Sequence, residues 1–394
     1  MLAPERAGFT RRRAVFLTVG LAAMAILVAG CGGGDDSGGG NAGATQVSSD
    51  KSQQQEAREA GLKSADESGE PIALKPIKFG VLEFAAASEA IQRDHDAFVE
   101  AAKVLGWEPI FCDGGGDPVK WSSCANTLLS QNPAVIFSLS IEPPVIKPQL
   151  EKAKSRNIPW VNVGGVVTPS PLLFGGQGVV ESQPEKGHVM AEYLVDTMKE
   201  GGTIAVSQYP ANVGLRDRMN AFFEGIAEDP KLEIISKHTI DFTNLSDISN
   251  WATATIAQHP DLGAFALAVD TDPVSVAPAV ASKYGSKQYP ERPLILGSQG
   301  DLANLELIRK GQVDAVVESA ISATAWMAVD QIAEYLARGT EFSKDPPASY
   351  PLEFLKQQLV TKANVPAEPG VYVNPPADFV TYFKTKWGEE FTTK

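Results

Sequence analysis

The feature that most constrains this chain is an alternation of short apolar runs with stretches whose apolar residues repeat at helical spacing. The first unit shows it best. Ile77-Lys78-Phe79-Gly80-Val81-Leu82 has the length of a buried strand and stops at Glu83-Phe84-Ala85-Ala86-Ala87-Ser88. Ile91, His95, Phe98, Val99, Ala102 and Leu105 then trace one face of a helix. A strand running straight into an amphipathic helix is half of a βαβ unit. In open sheets built from such units, ligands bind beyond the carboxyl ends of the strands. Glu83 and Phe84 fall at such an end.

The pattern then repeats. Strand-like runs follow at Trp107–Cys112, Ala134–Leu139 and Pro159–Val163, with helical stretches at 118–131 and 143–156. Another run, Leu172–Gly175, leads into a long helix from about Ser182 to Lys199. A second series occupies Thr203–Ser207, Leu232–Thr239, Ala264–Val269, Leu294–Gly297 and Val313–Val317, again with helices between. Leu215, Met219, Phe222, Phe223 and Ile226 line one of them, and Ala325, Val329, Ile332, Ala333 and Leu336 another. This alternation predicts an α/β fold with parallel sheets covered on both faces. Two series mean two doubly wound, Rossmann-like lobes, as expected for a chain of 394 residues. The tail adds a strand-like run at Gln358–Lys362, a Pro-rich link and a short aromatic helix at Asp378–Trp387.

The first seventy residues read differently. Arg11-Arg12-Arg13 precedes an apolar run from Ala14 to Val28, which marks residues 1–30 as a secretory signal rather than a fold element. Val28-Ala29-Gly30-Cys31 resembles the lipobox of bacterial lipoproteins, in which the cysteine is acylated. The competing reading is a single-pass anchor, for which the run is short. The basic segment fits a twin-arginine export signal and a plain basic leader equally well. Residues 31–71 hold almost no large apolar side chain and cannot offset their chain entropy. As a flexible tether, some 40 residues would reach about 35 Å.

The formal charge of −14 becomes −17 once the +3 of residues 1–30 is set aside. Such an acidic surface argues against nucleic-acid binding, which depends on lysine and arginine. Besides Cys31, the chain holds only Cys112 and Cys124, an even pair for an oxidising compartment. They close a short loop between a strand and the next helix, and the alternative is two reduced, buried thiols. A metal site would need further ligands nearby.

Several local signatures carry a resemblance. Ile77–Val81 precedes an aromatic residue at Phe84, and Asp113-Gly114 runs through Pro118 into the Trp121 helix. Leu215–Phe222 contains an R-x-R-x-x-x-F helix start, His259-Pro260-Asp261 precedes the run leading to Asp270, and Gly297-Ser298-Gln299-Gly300 follows later. In this order the chain resembles the type I periplasmic binding proteins, in the ribose/galactose-binding branch that serves ABC transporters. The resemblance covers about residues 75–362. It implies two lobes joined by a three-strand hinge and closing on a small solute, with crossings near Gly175–Val180, Glu318–Ser322 and Gln357–Thr361. One lobe would comprise 72–177 and 320–356, the other 178–319 and 357–394 with the tail.

The candidate ligand-binding residues are Glu83, Phe84, Ser138, Ser140, Arg216, Phe242, Asp270 and Gln299. Phe84 and Phe242 would stack on an apolar ligand face, against the alternative of core packing. Glu83 can accept hydrogen bonds or pair with an amine. Arg216 offers a fork of donors, unless it only pairs with Asp217 or Glu181. Asp270 either reaches the ligand or caps the next helix. The chain departs from the sugar binders where they have Asn-Asp (here Val269-Asp270) and where they have an aspartate (here Gln299). Those losses open the site to a less polar or charged solute.

Neither a G-x-S-x-G nor an H-E-x-x-H motif occurs, and Asp241, Asn244 and Asp247 do not have calcium-loop spacing. The chain therefore reads as a binding protein and not an enzyme, without a cofactor. Its partners would be a small sugar, polyol or related molecule, an ABC permease and, through Cys31, a membrane, with the protein itself monomeric. The alternative is a ligand sensor feeding a membrane signalling system.

Overall fold

The computed structural model describes residues 71–175, 179–180, 182–244, 246–342 and 350–393. The signal at 1–30, Cys31 and nearly all of the tether, with most of the turn at 175–178, lie outside the described residues.

After a short strand, β1 (Ile72–Leu74), the chain enters β2 (Lys78–Glu83) and α1 (Glu89–Leu105). Ser88 starts the helix by accepting from the Ile91 N–H, and Gly106 ends it in the left-handed conformation with φ 67°. The buried face is Ile91, Asp94, Ala97, Phe98, Ala101, Ala102 and Leu105. It is rotated from the predicted stripe, leaving Val99 42% exposed. The reason is that small alanines and a buried aspartate share the sheet-facing side, and a count of large apolar residues overlooks both.

Two further strand–helix steps and two more strands follow: β3 (Glu108–Asp113), α2 (Pro118–Ser130), β4 (Val135–Leu139), α3 (Lys147–Ser155), β5 (Trp160–Gly164) and β6 (Val179–Val180). They build a parallel sheet in the order β3-β2-β4-β5-β6. Leu172–Gly175 is turn, not strand. Cys112 on β3 and Cys124 on α2 are joined in a disulfide.

The second lobe contains α4 (Gln183–Thr197), β7 (Gly202–Gln208), α5 (Val213–Ala227), β8 (Leu232–Thr239), α6 (Ser246–Gln258) and β9 (Leu262–Ala266). It continues through α7 (Thr271–Tyr284), β10 (Leu294–Ser298), α8 (Leu302–Arg309) and β11 (Ala315–Glu318). Alternate residues feed opposite faces of its sheet: Ala264 and Ala266 join one core, Phe265 the other.

The chain then returns. Helix α9 (Ile321–Arg338) packs in the first core, β12 (Gln358–Thr361) pairs antiparallel with β11, and α10 (Phe379–Glu390) with β13 (Phe391–Thr393) goes back once more. The second sheet thus reads β12-β11-β10-β9-β7-β8, and β13 pairs with β1. Placing all of 357–394 in the second lobe is therefore corrected. Only β12 fits that sheet edge. Phe379, Phe383, Trp387 and Phe391 are buried in the first core, where Trp387 stacks on Trp326 of α9 at 5.2 Å.

Candidate functional site: the cleft between the lobes

The strand ends of both sheets converge on a cavity of about 100 Å³. From the first lobe, Phe84 after β2, Ser88, Ala90 and Ile91 at the start of α1, and Ser140 after β4 reach it. From the second come Gln183, the start of α5 with Asn212, Leu215 and Arg218, and the strand-end residues Phe242, Asp270 and Gln299.

One wall is aromatic. Phe84 meets Phe242 edge-on across the cleft at 5.0 Å between ring centres and leans on Trp121 at 4.8 Å. The Trp121 indole N–H donates to the Phe84 carbonyl at 2.9 Å, which fixes the backbone that carries the ring. Gly116, with φ 70°, lets this approach happen: a Cβ there would lie 2.8 Å from the Phe242 Cβ.

A second group of lining residues is polar and buried. The Arg218 Nε donates to Gln183 Oε1 at 2.8 Å, and Nη1 donates to Ser298 Oγ at 2.7 Å and to the Ala268 carbonyl. Gln299 Oε1 accepts from Lys186 Nζ at 2.6 Å and from Ser319 Oγ at 3.1 Å. The Asn304 amide donates to the carbonyls of Asp270 and Gln299, fixing both strand ends from behind. Ser140 and Gln299 have φ of 58° and 70° without being glycine. Backbone strain of this kind persists where the surroundings over-determine it, as at binding sites.

The two lobes touch. Ser88 Oγ donates to Asp270 Oδ2 at 2.7 Å, and the Asn212 amide donates to the Ser140 carbonyl at 3.1 Å. Glu142 accepts from the Val213 N–H at 2.8 Å, so a first-lobe carboxylate sits at the positive N-terminus of α5.

Of the residues singled out from sequence, Phe84, Ser140, Phe242, Asp270 and Gln299 meet in this cavity. Asp270 precedes α7 without a side-chain capping bond and turns to Ser88 instead. Three others lie elsewhere and are corrected. Glu83 is buried 2.7 Å from His95 Nδ1; burial raises its pKa, while His95 pulls it back and Asp113 adds to the rise. Ser138 is wholly buried within the sheet, where it accepts from the Trp160 indole at 3.0 Å. Arg216 is 46% exposed and pairs with Asp217 at 3.7 Å.

The arginine in the cleft is Arg218. Two residues along a helix turn the side chain by about 200°, so R-x-R places one guanidinium on each side. Gly214, Leu215 and Arg218 share the cleft-facing side. Sequence reasoning also missed Gln183, Lys186 and Asn212. Only Asn212, an asparagine before an amphipathic run, carried a signal, as the helix N-cap.

Among the described residues no group of His, Cys, Asp or Glu could hold a metal ion, and no helix is long and apolar enough to cross a membrane.

Solved structures share this architecture. An ABC transporter solute-binding protein from Agrobacterium vitis with bound allitol is 21% identical, aligned over 74% of this chain and 98% of that one, with a TM-score of 0.64. One from Mycobacterium smegmatis with bound glycerol is 21% identical over 76% and 99%, TM-score 0.63. One from Bacillus halodurans with bound myo-inositol is 18% identical over 73% and 95%, TM-score 0.61. No curated protein sequence matches the chain. The model of the periplasmic binding protein domain matches residues 79–341, and the chain belongs to that family, with its type I two-lobe fold.

Proposed function

We propose that this protein is the extracytoplasmic solute receptor of an ABC importer, anchored through Cys31, whose lobes close by a hinge motion on one small polyhydroxylated molecule. The supporting observation is the cavity at the facing strand ends, lined by the Phe84–Phe242 pair together with Arg218, Asp270 and Gln299. An apolar ring face beside a few convergent polar groups suits a sugar or polyol, which has one C–H face and a rim of hydroxyls. The space, about 100 Å³, is well below the roughly 300–1,000 Å³ of drug-sized pockets, so a single small ring or open-chain polyol is the expected cargo. The similar structures with allitol, glycerol and myo-inositol support this class. Binding needs no catalytic step, and the closed form would be what the permease recognises.

Thermal-shift and calorimetric titration with allitol, myo-inositol, glycerol and a panel of monosaccharides tests the reading. Saturable binding by at least one of them is expected, with loss of affinity in Phe84→Ala. No binding across the panel, or binding indifferent to Phe84, would overturn it.

A further inference from the structure

Outside the solute cavity, a second set of side chains bridges the lobes beside the crossing segments. Glu89 and Arg93 stand one helical turn apart on α1. Glu89 Oε1 accepts from the Leu302 N–H, the first of α8, at 2.7 Å, and from the Tyr372 hydroxyl at 2.8 Å. Arg93 donates to Asp301 at 3.1 Å and to Glu318 at 2.5 Å. Its guanidinium lies 4.7 Å from the centre of the Tyr372 ring. Glu89 and Arg93 belong to the first lobe, and Leu302, Asp301 and Glu318 to the second. Tyr372 sits on the strap, residues 362–378, that leads from β12 back to α10. None of these residues lines the cavity.

We propose that Glu89, Arg93 and Tyr372 are positioning residues for solute capture, forming a latch that sets how readily the lobes close without touching the solute. The inference rests on the hinged-receptor reading above. The physical reason is that each group finds its partners only when the lobes meet. Opening exposes Arg93, Asp301 and Glu318 to water and leaves the first N–H groups of α8 without Glu89. The strap matters because Tyr372 covers the guanidinium and ties Glu89 from a segment belonging to neither sheet.

The seam also carries a proton signature. Asp301 faces Asp270 at the start of α7, Arg93 and Glu89 on α1, Glu318 on β11 and Tyr372 on the strap. Burial raises its carboxyl well above the usual range; Asp270, Glu318 and Glu89 add to this while Arg93 opposes it.

The test is the interlobe distance of the full chain without solute. Spin labels go on Lys152→Cys and Glu228→Cys, both exposed, in a Cys31→Ser background. Wild type should show a closed population. Tyr372→Phe should lower the closed-to-open ratio about tenfold. Arg93→Ala should lower it on the order of a hundredfold, with partial recovery in Arg93→Lys. Identical distributions in wild type and Tyr372→Phe, or no closed population in wild type, would overturn the latch. Since no solute is added, a sugar panel that fails to bind overturns the receptor reading and leaves this result standing.

Discussion

At the residue scale, the second lobe keeps a carboxyl in an unusual state just behind the cleft. Asp272 is 1% exposed and accepts from Ser207, and burial pushes it up to about 7, with Asp270 adding to the rise against the Ser207 hydrogen bond. The folded protein thus holds this proton more tightly than the unfolded chain does. The resulting stability is complete below the ordinary carboxyl range and is lost as pH rises through about 7. Stability should fall as pH rises from about 4 to about 7, by an amount on the order of a few kcal/mol, and level off above that; Asp272→Asn should flatten the slope, read by chemical denaturation. The arginine pair gives a sharper contrast. Arg218→Ala should weaken solute binding at least a hundredfold, because Gln183 and Ser298 lose a charged partner beside the cavity. Arg216→Ala should stay within about twofold, and calorimetry on both variants checks the pair. Sequence could place an R-x-R motif at the cleft but could not choose between its arginines. That choice depends on the helix phase, which Asn212 sets at the cap. Gln183 and Lys186 were illegible because their partners, Arg218 and Gln299, come from other elements of the second lobe, 35 and 113 residues along the chain.

At the element scale, the tail is where sequence and fold part. The central strands, such as β4, β5, β10 and β11, could be read from apolar runs because they are buried on both faces. Strands β1, β6 and β13 hold two or three residues each, too few for any periodicity. The aromatic helix was visible at Asp378–Trp387, but its destination was not, since apolar periodicity says that a face is buried and not against what. Its anchor is Asp330, wholly buried in α9. The carboxylate accepts from Lys386 at 2.8 Å, from the Trp387 indole at 2.6 Å and from Tyr350. Burial raises Asp330 above the usual range, while Lys386 pulls it back. Trp387→Ala should cost about 3–5 kcal/mol in chemical denaturation, and its loss should fall on the lobe that carries the disulfide.

At the scale of the whole molecule, two lobes of separate cores meet through side chains contributed by loops and helix starts. A ligand that binds only the folded form, present at 100 times its dissociation constant, adds about 2.7 kcal/mol of stability. The gain found with a binding polyol should match that figure at the same saturation, read from the shift in denaturation midpoint. The two-lobe plan was legible because eleven strand-like runs imply more than one sheet. The size of the gap between the lobes was not, since it depends on side chains meeting from distant segments.

The pairing of β1 with β13 has a mechanical consequence. Leu74 and Phe391 bury themselves in the first core, so whatever precedes residue 71 pulls on one lobe alone. The ladder is parallel, Ile72 opposite Phe391 and Leu74 opposite Thr393, so a pull entering at β1 passes to β13 and to the helix before it.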